Sequence, residues 1–128
     1  NLFLNMIRHK LFNPLNSLLY LYLLTFLVGC GESSQSLRDA AADGNLKSVK
    51  RAVESGTDIN NPDPKNGYTP FHLAVSNDHK DIVKYLVDNK AKINILNKRK
   101  ETPLDLSNTE ATDKFLEKHG AKRAAELD

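Results

Sequence analysis

The sequence of 128 residues contains no tryptophan and only one cysteine. A lone cysteine cannot form an internal disulfide, which excludes a disulfide-stapled fold and any zinc site built from cysteine pairs. The four histidines include no pair at the i, i+4 spacing that metal ligands have on a helix. The sequence also lacks a glycine-rich phosphate loop and a nucleophile elbow. We therefore expect no cofactor, no bound metal, no small-molecule substrate and no enzymatic activity.

The segment before residue 30 differs in composition from the rest of the chain. It holds five of the nine aromatic residues and two of the 18 basic residues, but none of the acidic ones. The remaining 16 basic and 16 acidic residues follow it, so that later part of the chain has no net charge. A nucleic-acid-binding domain would carry a clustered positive surface. We therefore expect no nucleic-acid partner.

Residues 1–29 have the pattern of a signal peptide. A basic stretch, Arg8-His9-Lys10, precedes an apolar run over residues 18–28. That order is typical of export signals, and the run is shorter than the ~20 residues that a membrane-spanning helix needs. Met6 is the only methionine, and we expect translation to start there. The alternative is a membrane anchor or a plain cleaved signal, with the cysteine incidental.

The end of the apolar run, Leu27-Val28-Gly29-Cys30, resembles the lipobox of bacterial lipoproteins. The resemblance implies that residues 1–29 are removed, that Cys30 is lipidated on its sulfur, and that its new amino group is acylated. Two or more acyl chains give lasting membrane attachment. Residues 30–36 would then be the lipidated cysteine and a short polar tether. Gly31 in place of aspartate implies the outer membrane, with the protein facing the periplasm.

An internal repeat occupies the rest of the chain. Residues 67–74 align with residues 100–107, which places Thr69-Pro70 in register with Thr102-Pro103. Residues 37–44 fall in the same register, and residues 55–60 match residues 89–94. Self-similarity at a period of roughly 20–50 residues indicates a solenoid of stacked units.

Each unit has the pattern of a helix pair. Thr69 before Pro70 fits an N-cap followed by proline at the first helical position, and Phe71, Ala74 and Val75 share one helical face. One pair cannot bury its own apolar face, so neighbouring units must stack. The predicted core contains the apolar residues on these faces: Leu37, Ala40, Ala41, Val49, Val53, Phe71, Ala74, Val75, Ile82, Val83, Leu86, Leu104 and Leu116.

The middle unit resembles an ankyrin repeat along its whole length. The residues that carry the resemblance are Gly67, Thr69-Pro70, His72, Ala74, His79, Ile82-Val83, Leu86-Val87, Ala91 and Asn94. The resemblance extends over about residues 35–121. It implies an all-α fold, a short ankyrin-like solenoid of about three helix-pair repeats joined by hairpin-like turns, preceded by a cleaved signal segment. We place the units of the ankyrin-repeat domain, residues 37–128, at 37–63, 64–96 and 97–128.

The outer units depart from the family pattern, whereas His72 in the middle unit matches it. The third unit has Lys100, Asp105 and Ser107 where the pattern has glycine, histidine and alanine, which fits a capping repeat with a solvated outer face. The resemblance implies that His72 is buried and hydrogen-bonds the backbone near Thr69 or in the next turn.

Ankyrin domains are interaction scaffolds, so the resemblance implies a membrane-tethered, non-enzymatic protein-binding module of the bacterial cell envelope. The partner is another protein of unknown identity. A narrower alternative is a periplasmic immunity or inhibitor protein that neutralises a toxin or regulates an envelope enzyme. A structural accessory in envelope assembly is an alternative of another class. An enzyme or a small-ligand-binding protein is the competing hypothesis, since fold alone does not give function.

The resemblance also implies which residues contact the partner, namely those at the turn tips and on the exposed side of the inner helices. We expect Tyr68 to point outward, or else to lie along the turn and shield its backbone. The basic triplet Lys98-Arg99-Lys100 is either a solvated loop tip or a contact for an acidic partner or for lipid headgroups. The predicted partner-binding residues are Lys65, Asn66, Tyr68, Ser76, Asn77, Leu96, Lys98, Arg99, Glu101 and Asn108, with Ala42 and Asp43 added from the first unit.

Changing Cys30 to serine tests the lipoprotein interpretation. In a bacterium, the parent chain should incorporate radioactive palmitate and float with membranes, because the thioether and the acylated amino group both require this cysteine. The Cys30→Ser chain should do neither and should persist as a precursor. Ser33→Ala serves as the control and should label like the parent. Label on the Cys30→Ser chain would rule the interpretation out.

Overall fold

The sequence breaks into short helices because capping residues and turn residues recur every few residues along it. The computed structural model describes residues 34–127, with side chains from residue 37 onward. Within that range there are five α-helices, two 3₁₀ turns and no β-strand. The helices are α1 (Ser34–Asp43), α2 (Leu46–Glu54), α3 (Pro70–Ser76), α4 (Lys80–Asp88) and α5 (Glu110–Lys118), and the 3₁₀ turns are Pro103–Leu106 and Ala124–Glu126.

The predicted signal segment and the lipidated Cys30 lie outside the described residues. Helix α1 begins at Ser34, so the last three residues of the predicted tether are helical. None of the helices between residues 34 and 127 has the length and hydropathy needed to cross a bilayer.

The helices form two layers. Helix α1 packs on α2 and on α3, α3 packs on α4 and on the 3₁₀ turn Pro103–Leu106, and α2 packs on α4. The inner layer therefore contains α1, α3 and the 3₁₀ turn, and the outer layer contains the second helix of each unit. Hairpin-like turns connect the units. This is the arrangement of stacked helix pairs that the repeat predicts.

The core lies between the two layers and matches the prediction closely. Every predicted core residue is buried except Val53, which is half-buried and packs against the cluster. Three further alanines, Ala52, Ala91 and Ala121, are buried as well. Small residues at these positions allow successive units to approach each other closely.

The third unit departs from the expected helix pair. Thr102 caps its first element, just as Thr69 caps α3, but the element is a single 3₁₀ turn rather than an α-helix. Ser107 is extended, at φ −69° and ψ 139°, so the chain leaves the helical path directly after Leu106. From Ser107 to Gly120 the third unit is three residues shorter than the second unit is from Ala74 to Lys90. That difference leaves too little chain for another turn of helix.

Polar side chains join successive units at recurring positions. The Asn60 side-chain oxygen accepts the Lys92 amide at 2.7 Å, and the Asn94 side-chain oxygen accepts the Lys122 amide at 2.8 Å. At the opposite end of the helices, His79 Nε2 lies 2.9 Å from the Ala42 carbonyl oxygen. These contacts fix the rotation of each unit on the next.

Asp78 joins the second unit to the third in the same way. Its carboxylate accepts hydrogen bonds from the hydroxyls of Thr112 at 2.6 Å and Thr109 at 2.9 Å. These hydrogen bonds, the Thr112 bond first, lower the pKa of Asp78. Thr109 also caps α5, so one threonine both starts the helix and attaches it to the neighbouring unit.

His72 forms a buried connection between α3 and the third unit. The Thr69 amide donates to Nδ1 at 3.2 Å, so Nε2 carries the proton and donates it to the Glu101 carbonyl at 3.3 Å. The ring is completely buried, and burial lowers the pKa of His72 below its ordinary value. The structural role implied for His72 by the ankyrin resemblance is therefore confirmed.

Truncation of a core residue on α4 should destabilise the whole stack. Ile82 and Leu86 are completely buried, so Ile82→Ala or Leu86→Ala should lower the free energy of unfolding by about 2–5 kcal/mol. Lys84→Ala, on the exposed side of the same helix, should change it by less than about 0.5 kcal/mol. Urea unfolding followed by circular dichroism measures all three, and parent-like unfolding of either core variant would show that its side chain is not core.

The buried His72 should make stability depend on pH in the mildly acidic range. Its pKa is lower in the folded protein than in the unfolded chain, so the unfolded chain binds more protons below about pH 6.5. The contribution is complete above that pH and is lost as the pH falls. Asp63 and Asp78, whose pKa values hydrogen bonds lower from 3.8, act at still lower pH. Urea unfolding at pH 7 and pH 5 should show a loss of stability on acidification in the parent.

His72→Gln is the comparison variant for this measurement. Glutamine keeps a polar side chain but does not titrate. We expect the variant to be less stable than the parent at pH 7 and to lose less stability between pH 7 and pH 5. An equal loss in parent and variant would show that another group is responsible.

Candidate protein-binding surface

The turn before α3 forms the first of two neighbouring hairpin tips. The Asp63 amide donates to the Tyr68 carbonyl at 2.8 Å, and the Asp63 carbonyl accepts the Gly67 amide at 2.8 Å. The Asp63 carboxylate accepts the amides of Lys65 at 2.7 Å and Asn66 at 3.2 Å. These hydrogen bonds, the Lys65 amide first, lower the pKa of Asp63. The tip is therefore a closed turn organised by one aspartate.

The turn before the third unit is organised by an asparagine. The Asn97 amide donates to the Glu101 carbonyl at 3.0 Å, and its side-chain oxygen accepts the amides of Arg99 and Glu101 at 2.8 and 2.9 Å. The Asn97 side-chain nitrogen, Nδ2, also donates to the Glu101 carboxylate at 2.7 Å. Asn97 is buried beneath the tip, whereas Lys98, Arg99 and Lys100 are exposed.

The two tips are hydrogen-bonded to each other. The Lys98 amide donates to the Asn66 carbonyl at 3.0 Å, and Lys98 Nζ donates to the Pro64 carbonyl. Gly67, at φ +77°, allows this approach, because a Cβ there would lie 2.8 Å from the Lys98 nitrogen. We call residues 63–68 and 97–101 together the hairpin-tip surface.

Tyr68 lies across the junction between the tips. Its ring stacks on His72, with centroids 5.6 Å apart and an interplanar angle of 12°. Its hydroxyl accepts a hydrogen bond from Arg99 Nη2 at 3.2 Å. Tyr68 is therefore half-buried and lies along the surface, which corrects the expectation that it points outward. Aromatic stacking on a buried ring favours this orientation.

The other predicted partner-binding residues form a second group at the far end of the inner helices. The Asn108 side chain donates to the Ser76 carbonyl at 2.7 Å, and the Asn77 side chain donates to the Leu73 carbonyl at 2.9 Å. Ala42 and Asp43 occupy the equivalent positions at the end of α1. The predicted contacts are thus two groups at opposite ends of the inner layer. Leu96, the most exposed of the large apolar side chains between residues 37 and 127, is 46% exposed and directly precedes Asn97.

Two further inner-helix residues lie on the same helix faces as Ala42 and Ser76 and were not among the predicted contacts. Asp39 is exposed on α1, and Leu73 is half-buried on α3. They lie one helical turn before Ala42 and Ser76, and the same repeat offset that relates those two residues relates Asp39 to Leu73. The helical spacing and the repeat register together could have found them.

No group of three or more histidine, cysteine, aspartate or glutamate side chains between residues 37 and 127 could hold a metal ion. A groove of about 280 Å³ lies between α4 and α5 on the outer layer, lined by Lys80, Val83, Lys84, Ala111, Thr112 and Phe115. Both ring nitrogens of the buried His72 are engaged in hydrogen bonds within the protein.

Comparison with known proteins agrees with this architecture. A family model described as ankyrin repeats (many copies) matches residues 37–87. Mouse ankyrin repeat domain-containing protein 40 is 35% identical over 85 residues, covering 66% of this chain and 23% of that protein. An ankyrin repeat-containing protein of Schizosaccharomyces pombe is 46% identical over 65 residues, covering 51% of this chain and 31% of that protein.

A third relative carries a functional name. Mouse protein phosphatase 1 regulatory subunit 27 is 36% identical over 78 residues, covering 61% of this chain and 50% of that protein. The chain thus matches half or less of the length of each of these relatives. The family model, the internal repeat and the two layers of helices agree: the described part of the chain folds as a short ankyrin-like solenoid.

Proposed function

We propose that the chain is a non-enzymatic protein-binding module that recognises its partner through the hairpin-tip surface and the exposed side of the inner helices. The observation that carries the proposal is the pair formed by Tyr68 and Arg99. The tyrosine ring is held against His72, and the exposed guanidinium is held at its hydroxyl. Tyrosine and arginine are the residue types most enriched at interface hot spots.

The pair is also ordered before a partner arrives. Ordering a flexible side chain on binding costs about 0.5–1.5 kcal/mol, and the stacking and the hydrogen bond reduce that cost here. The tips below the pair are fixed by the Asp63 and Asn97 hydrogen bonds. A rigid surface of this kind suits recognition of another folded or extended protein.

A second candidate is an inhibitor or regulator of an enzyme. The name of one relative, protein phosphatase 1 regulatory subunit 27, describes a subunit that regulates an enzyme. That name supports a module that regulates the enzyme it binds. An immunity protein that neutralises a toxin is a special case of the same activity. The identity of the regulated protein remains open to experiment.

We further propose that the module is tethered to the bacterial cell envelope through a lipid on Cys30, in the outer membrane and facing the periplasm. The support is the sequence Leu27-Val28-Gly29-Cys30. The relatives named above come from mouse and fission yeast, and the family model begins at residue 37. They therefore bear on the repeats and not on the anchor.

Tyr68→Ala tests the proposed recognition surface. The partner is first recovered by crosslinking the full chain in detergent-solubilised envelope and is identified by mass spectrometry. We then expect Tyr68→Ala to weaken binding by at least about 2 kcal/mol in calorimetry, the usual threshold of a hot spot. Loss of the stacking on His72 should cost about 0.5–1.5 kcal/mol of stability, so a melting curve must accompany each titration.

Tyr68→Phe is the matched control for the ring. It keeps the stacking on His72 and removes only the hydroxyl that accepts the Arg99 hydrogen bond. We expect binding to fall by less than it does in Tyr68→Ala. Normal binding by a folded Tyr68→Ala chain would show that the hairpin-tip surface is not the recognition surface, and the outer helices would then be the next place to look.

A further inference from the structure

The hairpin-tip surface has a localised positive charge, although residues 30–128 carry no net charge. Four of its side chains are cationic and exposed, and only two are acidic; the cations are Lys65, Lys98, Arg99 and Lys100, and the acids are Asp63 and Glu101. Clustered cations of this kind attract an oppositely charged partner and raise its association rate.

The two carboxylates are already engaged within the protein. Asp63 accepts two backbone amides and lies 3.9 Å from the Arg38 guanidinium. Glu101 accepts the Asn97 amide group at 2.7 Å, and the Nε of Arg99 is 3.9 Å away. The Arg99 side chain is nevertheless 71% exposed. The charge presented to a partner is therefore mainly that of the cations.

Three exposed acidic residues lie at the opposite end of the inner helices. Arg38, in the first half of α1, contacts Asp63, whereas Ala42, near the end of α1, contacts His79. Helix α1 therefore runs from the hairpin end to the loops between paired helices. The exposed acids at that far end are Asp43, Asp81 and Glu110. Lys47 and Lys80 are exposed at that end too, so it lacks the excess of cations that the tips carry.

Lys100 adds a cation at a position where the backbone favours glycine. The alignment of residues 67–74 with residues 100–107 makes it the equivalent of Gly67 in the preceding tip. Lys100 has φ +59°, and Gly67 has φ +77°. A left-handed conformation costs roughly 1–2 kcal/mol for a residue that has a Cβ. Lys90, which is outside this surface, is left-handed as well, at φ +65°. At Lys100 the left-handed residue is the third successive cation.

We infer that the partner binds the hairpin-tip surface through an acidic, extended protein segment, an inference that rests on the proposed function. Less polar side chains lie beside the cations: the Tyr68 hydroxyl accepts the Arg99 hydrogen bond, and the half-exposed Leu96 is two residues before Lys98. A lipid headgroup layer would need only the cations. Tyrosine and arginine are both enriched at protein–protein interfaces.

A random 12-residue peptide library displayed on phage and panned on the full chain provides the test. We expect the selected peptides to be enriched in aspartate and glutamate relative to the input library. Their affinity, measured by fluorescence anisotropy, should fall at least tenfold for the Lys98→Glu, Arg99→Glu, Lys100→Glu triple variant. The matched control, Lys47→Glu, Lys114→Glu, Lys118→Glu, makes the same change in charge on the outer helices and should alter affinity by less than twofold.

Lys65→Glu provides a second variant if the triple variant melts early, and it should weaken the same peptides severalfold. Raising NaCl from about 50 to 500 mM should also weaken parent binding, since salt screens charges beyond a few ångströms. Selected peptides without an excess of acidic residues, or equal losses in the two triple variants, would overturn the inference. If selected peptides without an excess of acidic residues still bound Tyr68→Ala more weakly than the parent, the proposed protein-binding function would be retained. Only the inference of an acidic partner would then be wrong.

A membrane arm separates the other source of negative charge. Vesicles of phosphatidylcholine and phosphatidylglycerol in a 7:3 ratio are sedimented with the full chain and with each triple variant, all carrying Cys30→Ser so that no lipid anchor contributes. Acidic-peptide selection with vesicle binding that is equal in the two triple variants supports the inference. Vesicle binding lost only in the tip variant, with no acidic peptides selected, would assign the surface to lipid and overturn it.

Discussion

Each helix pair has one apolar side that it cannot bury by itself, and the rest of the structure follows from this constraint. The alanines that line the layers, such as Ala41 and Ala74, are completely buried because neighbouring helices approach closely there. Contact between apolar faces leaves two helix pairs free to slide and rotate, since burial has no direction. Hydrogen bonds that recur in each unit, such as those of Asn60 and Asn94, therefore supply the register that the apolar contact lacks.

The same constraint explains how the stack ends. The 3₁₀ turn Pro103–Leu106 covers α3, but it must itself be covered. The segment after Ala121 does this with polar contacts: the Thr102 hydroxyl donates to the Lys122 carbonyl at 2.9 Å, and the Ala124 amide donates to the Asp105 carboxylate at 3.0 Å. Arg123 reaches Asp113 at 3.2 Å. The final segment thus satisfies backbone groups that a further helix pair would satisfy elsewhere.

Sequence alone predicts the core and the start of each helix, because both depend on local chemistry. The apolar spacing of Phe71, Ala74 and Val75 can only produce one buried face, and Thr-Pro marks a helix start wherever it occurs. The end of the third inner element is not predicted, because the Thr102-Pro103 signal says nothing about how far the helix continues. Its length is decided by the chain available before Thr109, which has to reach Asp78 of the preceding unit.

The repeat predicts where the hairpin-tip residues lie in the fold, but it does not predict their contacts across units. The repeat register places Lys98 opposite Lys65, and the structure joins these tips through the Lys98 amide. The repeat register does not predict that Arg99 reaches Tyr68, because that contact depends on the direction of side chains from two units. The tyrosine orientation depends in turn on the buried ring of His72, whose position is set by Glu101 of the next unit. Partner contacts on such a surface are therefore a property of two stacked units, not of one.

Two left-handed positions show how individual units tolerate departures from the repeat. Gly44 and Asp78 are equivalent, at φ +76° and +55°, and Asp78 offsets the strain with hydrogen bonds from Thr109 and Thr112. At Gly44 a side chain would collide with the His79 ring, 2.7 Å from the Cβ position. Lys90 and Lys100 are also left-handed, at φ +65° and +59°, and both are exposed. An exposed turn position therefore accepts lysine in place of glycine without changing the packed layers.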